Sequence, residues 1–222
     1  MTTVGLIGSG HIGGTVARLA VAAGHRVVLS NSRGPDTLLA LAAELGPRAR
    51  AATVHDAATT ADIVLVSIPV KAYPGLSGQP LAGKVVMDTG NYYPQRDGPL
   101  PELDSRSLTE SEYLLRSLPG AEVVKVFNNI MFKHLLNLAR PPGAADRSSL
   151  PIAGDSATAK ATVSEFLDSI GYGTVDAGPL AEGWRQQPGT PVYGTPYGPF
   201  DDELGTPAGA EPIRAALAAA RR

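Results

Sequence analysis

Apolar residues along the first half of the chain fall into short runs separated by stretches of helical spacing. Val4 to Ile7 is an apolar run that ends at glycine and predicts a buried strand. Ile12, Val16, Leu19, Ala20 and Ala23 then recur at the spacing of one helix face, and Gly24 ends that helix. Arg26 to Ser30 predicts a second strand. Asp36 is placed to cap a helix carrying Leu38, Leu39, Leu41, Ala42 and Leu45, which stops at Gly46-Pro47. Ala51 to Val54 reads as a weak third strand, Asp62 to Ile68 as a strong fourth, Lys84 to Asp88 as a fifth and Glu122 to Phe127 as a sixth. None of these runs alternates cleanly with polar residues. Strands of that kind, separated by helices, predict a parallel sheet covered on both faces.

The pattern changes after residue 130. Met131, Leu135, Leu136 and Leu138 predict a short helix stopped by Arg140-Pro141-Pro142-Gly143. Leu150 to Ala153 and Gly173 to Asp176 are expected as edge strands. The stretch from Ser156 to Ile170 is expected as a helix with Val163, Phe166, Leu167 and Ile170 on one stripe. Residues 183 to 210 are dense in Gly, Pro and Tyr and read as loop rather than core; Glu211 to Arg222 closes the chain as an Ala-rich helix. The expected fold is α/β: a Rossmann-like, mostly parallel sheet with helices on both faces and a small C-terminal extension. The expected organisation is a dinucleotide-binding unit over 1–140, additional strands and a helix completing the crevice over 141–182, and an arm with a terminal helix over 183–222.

Composition narrows the function classes. The 222 residues carry 19 basic and 21 acidic side chains, for a formal charge of −2, with no basic run that would track a nucleic acid backbone. There is no cysteine, which excludes thiol chemistry and thiolate metal sites, and no zinc or calcium ligand spacing is present. Neither a leader peptide nor a bilayer-length apolar run is visible, so the expectation is a cytoplasmic protein with no membrane partner.

The clearest motif is Gly8-Ser9-Gly10-His11-Ile12-Gly13. It follows a strand and opens an amphipathic helix, with a second strand beyond, which is the context that gives a glycine fingerprint meaning. Gly8 permits the tight turn, Gly10 removes a side chain where a pyrophosphate approaches, and Gly13 lets the helix sit close to the sheet. Backbone N–H groups and the helix dipole then hold the phosphates, with His11 beside them. The second strand ends in Asn31-Ser32-Arg33. A carboxylate there would bond the ribose hydroxyls and repel a 2′-phosphate. Neutral donors and a cation instead suit NADP.

In an open parallel sheet the ligand lies beyond the C-terminal strand ends. Those ends hold Ser67, Ile68 and Pro69, then Asp88 to Asn91, then Asn128, Asn129 and Ile130. Ile68 and Pro69 would edge the nicotinamide half, and Asn128 and Asn129 would bond its carboxamide or a second substrate. Asp88 fits a strand-end structural role as well as a functional one. His25 reads as structural, His55 lies in a loop without a partner, and His134 reads as a helix-surface residue. No side chain is assigned as catalytic, and no residue as a metal ligand.

These residues resemble the dinucleotide-binding enzymes typified by NADPH-dependent reductases of the deazaflavin coenzyme (coenzyme F-420). The resemblance spans roughly residues 2 to 182. It rests on LIGSGHIGG at Leu6 to Gly14, the polar segment ending at Arg33, DIVLVSIP at Asp62 to Pro69, KVFNNI at Lys125 to Ile130, AGDS at Ala153 to Ser156 and VDAGPL at Val175 to Leu180. It implies hydride exchange between nicotinamide C4 of NADPH and the deazaflavin ring, with the two rings stacked across the crevice; the leading reading is an NADP-dependent oxidoreductase whose second redox cofactor is a deazaflavin or flavin. The family's phosphate-binding glycines correspond to Gly8, Gly10 and Gly13, and its 2′-phosphate segment to Asn31, Ser32 and Arg33. Such transfer needs proximity and orientation rather than a side-chain acid. The chain departs from the family after Leu180, where a Gly/Pro-rich stretch replaces a helix. Trp184, Tyr193 and Tyr197 there either stack on a flat ring or anchor an arm in a partner's groove. The competing readings are an NADPH-dependent reductase of a small imine or carbonyl, with Tyr92, Tyr93, Asn128 or His134 as proton donor, and a non-catalytic NADP-binding redox sensor. A homodimer is expected, because one side of the crevice is thinly covered.

Overall fold

A computed structural model describes residues 1–222. Eight strands form one sheet in the order β3-β2-β1-β4-β5-β6-β7-β8. They are β1 (Thr3–Ile7), β2 (Arg26–Ser30), β3 (Ala49–Ala51), β4 (Ile63–Val66), β5 (Val85–Asp88), β6 (Glu122–Lys125), β7 (Ser149–Gly154) and β8 (Gly173–Asp176). The first six are parallel, in the order of a dinucleotide-binding sheet. β7 runs antiparallel to β6 and parallel to β8. The α/β architecture expected from the apolar runs is therefore present.

Nine α-helices accompany the sheet: α1 (His11–Ala22), α2 (Leu39–Leu45), α3 (Val54–Thr60), α4 (Pro94–Asp97), α5 (Pro101–Asp104), α6 (Glu110–Ser117), α7 (Phe132–Asn137), α8 (Ala157–Ser169) and α9 (Ala210–Ala219). Alternate residues of one strand feed opposite faces. Leu6 and Leu65 join the core formed with α1, α7, α8 and α9, while Ile7, Val64 and Val66 join the core under α3 and α6. Both faces being covered is why the strands read as continuous apolar runs.

Several sequence expectations are corrected. β3 is Ala49–Ala51, not 51–54; Val54 instead opens α3, capped by the Thr53 side chain accepting from the Asp56 N–H. That helix has little apolar periodicity, because it packs through Ala57 and Ala58 against β1. Gly5, in the middle of β1, makes the approach possible: a Cβ there would stand 2.3 Å from the Ala57 carbonyl oxygen. His55 therefore lies on a helix. Asp36 caps nothing; it sits in a short 3₁₀ turn (Pro35–Leu38) that precedes α2. β4 and β6 stop short of Ile68 and Phe127, and Phe127 takes φ +65° as the chain turns away from the sheet. β7 is interior rather than an edge, flanked by β6 and β8, and all six of its residues are buried.

The largest correction concerns residues 183–209. They form no long helix, as expected, and much of the stretch is exposed or half-buried, yet it is anchored in the core at several points. Gln186, Val192 and Tyr197 are fully buried within their own chain. The Tyr197 hydroxyl donates to the Ser149 carbonyl of β7 at 2.8 Å.

Candidate functional site

The glycine turn links β1 to α1, and each glycine has a distinct physical reason. Gly8 holds φ +102°, and a Cβ there would meet the Ser67 carbonyl oxygen at 2.2 Å. A Cβ on Gly13 would meet the Gly8 carbonyl oxygen at 2.1 Å, so the close fit of α1 to the turn requires hydrogen there. Gly10 is different: nothing lies within 4 Å of a Cβ built on it. Gly10 is also the residue before α1, and no side chain caps the helix there. The first-turn N–H groups of a 12-residue helix thus face an open approach without an intrachain acceptor from a cap. The Gly8 N–H donates to the Ser30 carbonyl at 3.0 Å, and the Ser9 hydroxyl donates to the same oxygen at 3.1 Å. These bonds fix the turn against the end of β2.

Beyond β2, Asn31 shapes the loop. Its Oδ1 accepts from the Arg33 N–H at 2.9 Å and its Nδ2 donates to Thr37 Oγ1 at 2.9 Å. Ser32 and Arg33 are exposed. The Arg33 backbone is held by Asn31, while its guanidinium has no hydrogen bond or ion pair inside the chain. Asn31–Arg33 contains no acidic residue.

At the C-terminal strand ends, Ser67 is tied to β1 through its N–H to the Ile7 carbonyl at 2.8 Å; Ile68 is half-buried and Pro69 exposed. A cavity of about 220 Å³, which none of these three residues lines, opens between Ile12 of α1, Thr89 and Asn91 after β5, the Phe127–Phe132 stretch after β6, and Tyr193 and Phe200. Its lining is mainly apolar. His11 does not stand free: its ring stacks at 4.4 Å on Phe132, a residue that lines the cavity. Tyr193 reaches its edge, with its hydroxyl 2.6 Å from that of Tyr93, and burial raises the Tyr193 hydroxyl well above its ordinary range, as does the bond to Tyr93.

Asn128 and Asn129 are buried at this cavity and grip the C-terminal segment. Asn128 Nδ2 donates to the Gln186 carbonyl at 2.6 Å and to Asn91 Oδ1 at 3.0 Å. Asn129 Nδ2 donates to the Val192 carbonyl at 3.1 Å, and the Gly194 N–H donates to the Asn129 carbonyl at 2.8 Å. Both Oδ1 atoms lack a partner within the chain. A buried unpaired acceptor is unfavourable unless something donates to it.

Beneath the 88–92 loop lies a group of buried charges. Asp88 and Lys125 are register partners on β5 and β6, and both are fully buried. Lys125 Nζ donates to the Gly90 carbonyl and pairs with Asp88 at 3.6 Å and with Glu110 at 3.5 Å. Asp88 accepts from Tyr73 Oη and Ser111 Oγ, both at 2.6 Å, and from the Gly90 N–H at 2.9 Å. Burial, and then the neighbouring Asp88 carboxylate, raise the Tyr73 hydroxyl well above its usual range. Both carboxylate oxygens of Asp88 are engaged inside the protein, so its role is to hold the strand-end loop. Glu110 and Lys125 were not singled out from sequence. The signal was a lysine inside an otherwise apolar strand, opposite an aspartate in the neighbouring one.

His134 is also corrected. It is fully buried, with Nε2 2.5 Å from the Asp202 carbonyl oxygen, and it anchors the 200–205 stretch rather than facing solvent. Tyr197 belongs to the core, which leaves Tyr193 and Trp184 as the aromatic side chains of this segment near open space.

The family profile for NADP oxidoreductases, coenzyme F420-dependent, matches residues 3–92, from β1 through the loop after β5. A hypothetical protein of Sinorhizobium meliloti is similar over nearly its whole length: 31% identity, 86% of this chain and 93% of that one, TM-score 0.73. A protein of Arthrobacter sp. FB24 provisionally named an F420-dependent NADP reductase is 25% identical, with 81% of this chain and 86% of that one covered, TM-score 0.67. Over residues 3–92 the chain thus matches the coenzyme F420-dependent NADP oxidoreductase family. It is also similar to the metalloreductase STEAP3 of Rattus norvegicus, 32% identical over 180 residues, which are 80% of this chain and 34% of that protein. The chain spans little more than a third of the length of the curated relatives it matches. No helix is long and apolar enough to cross a membrane. The family profile ends at Tyr92, so Lys125, the Asn128–Asn129 pair and the 183–209 segment lie beyond it.

Proposed function

We propose that the chain exchanges a hydride between NADPH and a second redox cofactor, a deazaflavin or flavin. NADPH would lie along the open side of the glycine turn, with its pyrophosphate at Gly8, Ser9, Gly10, His11, Ile12 and Gly13 and its 2′-phosphate at Asn31, Ser32 and Arg33. Ser67, Ile68 and Pro69 would border the nicotinamide. The unpaired Oδ1 atoms of Asn128 and Asn129 would accept from a carboxamide or from a ring N–H. Bound NADPH supplies the hydride. The chain's own residues position, exclude water and leave the transferring bond untouched.

The single observation that carries this reading is the pairing of an open, uncapped α1 N-terminus with an apolar cavity at the adjoining strand ends. The cavity holds no lysine, aspartate or glutamate, which suits transfer between two rings better than acid–base chemistry. A second reading rests on the Tyr93–Tyr193 hydroxyl pair at the cavity edge. Tyr193 could give a proton to a small imine or carbonyl, with Tyr93 resupplying it. An NADP-binding sensor without turnover is the third.

The test is a matched assay of nicotinamide absorbance with deazaflavin, free flavin, a ferric chelate and a cyclic imine, each supplied separately. Turnover with deazaflavin or flavin that survives Tyr193→Phe supports hydride exchange between cofactors. Turnover only with the imine, lost in Tyr193→Phe, supports the second reading. Binding of NADPH without turnover on any acceptor supports the sensor. We also propose a homodimer formed in the cytoplasm through Leu136, Phe200 and Leu204, which are exposed around α7 and the 200–204 stretch. Leu204→Asp should lower the solution mass to that of one chain.

A further inference from the structure

A second cavity, of about 330 Å³, meets the 88–92 loop at Tyr92, whereas the first cavity meets it at Thr89 and Asn91. It opens between Tyr92, Leu103 and Leu108 on one wall and Trp184 with Gln187–Thr190 on the other. Three arginines, Arg106, Arg221 and Arg222, complete it. None of the three forms an ion pair. Arg221 and Arg222 donate only to backbone carbonyls, and the Arg106 guanidinium donates to nothing in the chain. The one acidic side chain on the wall, Glu110, is already engaged by Lys125, Gln187 and the Tyr92 N–H. The cavity therefore gathers three arginines around one acidic side chain that is already engaged.

Arg106 adds an independent observation. It holds φ +57°, one of two non-glycine residues in the left-handed region. Glycine would sit there without strain, so a bulky cationic side chain at that position is unfavourable for the fold and points to a use outside it. The opposite wall offers a flat apolar face in Trp184, whose ring also carries the Arg185 guanidinium at 4.5 Å.

We propose that this cavity is a separate binding site for a small organic anion, one bearing a carboxylate or phosphate on a flat apolar body. The anionic group meets Arg106 and Arg221, with Arg222 beside them, and the body rests on Trp184 and Leu108. Arginine suits this task because its planar fork bonds two oxygens of such a group at once.

Trp184 is the only tryptophan in the chain and lines this cavity, so its emission responds to what binds there. The probes are phenyl phosphate and, as a neutral match, benzyl alcohol, each titrated with and without saturating NADP+. Phenyl phosphate should change the emission saturably, with the same midpoint in both conditions, and benzyl alcohol should not. Arg221→Ala should raise the midpoint about three- to tenfold. Arg106→Gly should do the same while its thermal midpoint stays at or above the wild-type value, because glycine relieves the strained φ. Arg33→Ala should leave the phenyl phosphate titration unmoved. Equal response to the neutral alcohol, displacement of the probe by NADP+, or midpoints unchanged in both cavity variants would each overturn the assignment.

Discussion

Two stretches of this chain are rich in glycine and put it to opposite uses. In Gly8–Gly14 the backbone is left bare. Neighbouring carbonyls come within about 2 Å of where a Cβ on Gly8 or Gly13 would stand, and the space outside Gly10 is empty. In residues 183–209 glycines at 189, 194, 198 and 205 take positive φ values and turn the chain. The side chains between them, Val192 and Tyr197, are driven into the core. One region uses glycine to leave backbone open to the outside; the other uses it to steer an irregular path into its own interior. Glycine and proline density thus specifies a backbone path, and says little about whether that path is exposed.

The contrast can be broken most severely at Tyr197. If the C-terminal stretch is core, Tyr197→Ala should lower unfolding free energy by about 3–5 kcal/mol, as for other large buried aromatic truncations. Denaturant unfolding would measure it. A change below about 0.5 kcal/mol, the range of ordinary surface substitutions, would return the stretch to the surface.

Within the glycine turn itself, two alanines should separate stability from binding. Gly13→Ala forces a methyl onto the Gly8 carbonyl and should cost about 1–3 kcal/mol or more. Gly10→Ala meets nothing and should unfold within about 0.5 kcal/mol of wild type. It should nevertheless weaken NADPH binding, because the methyl enters the space the pyrophosphate needs. Equal thermal midpoints for the two variants would remove the distinction between the closed and open glycines.

Arg33→Ala tests the far end of the nucleotide. Loss of a charge-assisted bond should weaken NADPH by roughly 1.5–3 kcal/mol, or about one to two decades, and leave NADH nearly unchanged. Calorimetric titration of both nucleotides checks it, and a small equal loss for both would count against a 2′-phosphate role.

The smallest expected effect lies at the opposite end of the sheet. His25 Nδ1 accepts from the Thr2 N–H at 3.2 Å, and Nε2 lies 2.8 Å from Ser169 Oγ, so the neutral ring with hydrogen on Nε2 satisfies both. Burial, and secondarily the N-terminal amine, lower its pKa from 6.5. The unfolded chain then takes up a proton first on acidification. Stability should fall as pH drops below about 6.5 and recover above it. His25→Gln should flatten that slope in thermal unfolding measured across pH.

The nucleotide-side elements were legible because parallel, doubly covered strands are written as apolar runs, and because the fingerprint's glycines sit between a strand and a helix. Helix α3 was not, since it packs through alanines and is signalled only by Gly5 opposite them. Tyr197 and His134 escaped for a different reason. Their burial depends on where a turn-rich segment returns, and no local period encodes that. The Asn31–Ser32–Arg33 loop stood out by lacking a carboxylate. The Asp88–Lys125–Glu110 cluster needed strand register, which follows only once β5 and β6 are known to be neighbours.

Hydride exchange between two cofactors has one direct readout. NADPH deuterated at nicotinamide C4, on each face in turn, would be mixed with the protein and a deazaflavin in ordinary water, and the reduced deazaflavin examined by mass spectrometry. A carbon-bound deuterium at the acceptor ring does not exchange with water, so direct transfer leaves one label per reduced molecule from one of the two faces. Reduced acceptor without label from either face, or no reduction while NADPH is bound, would contradict the proposed reaction.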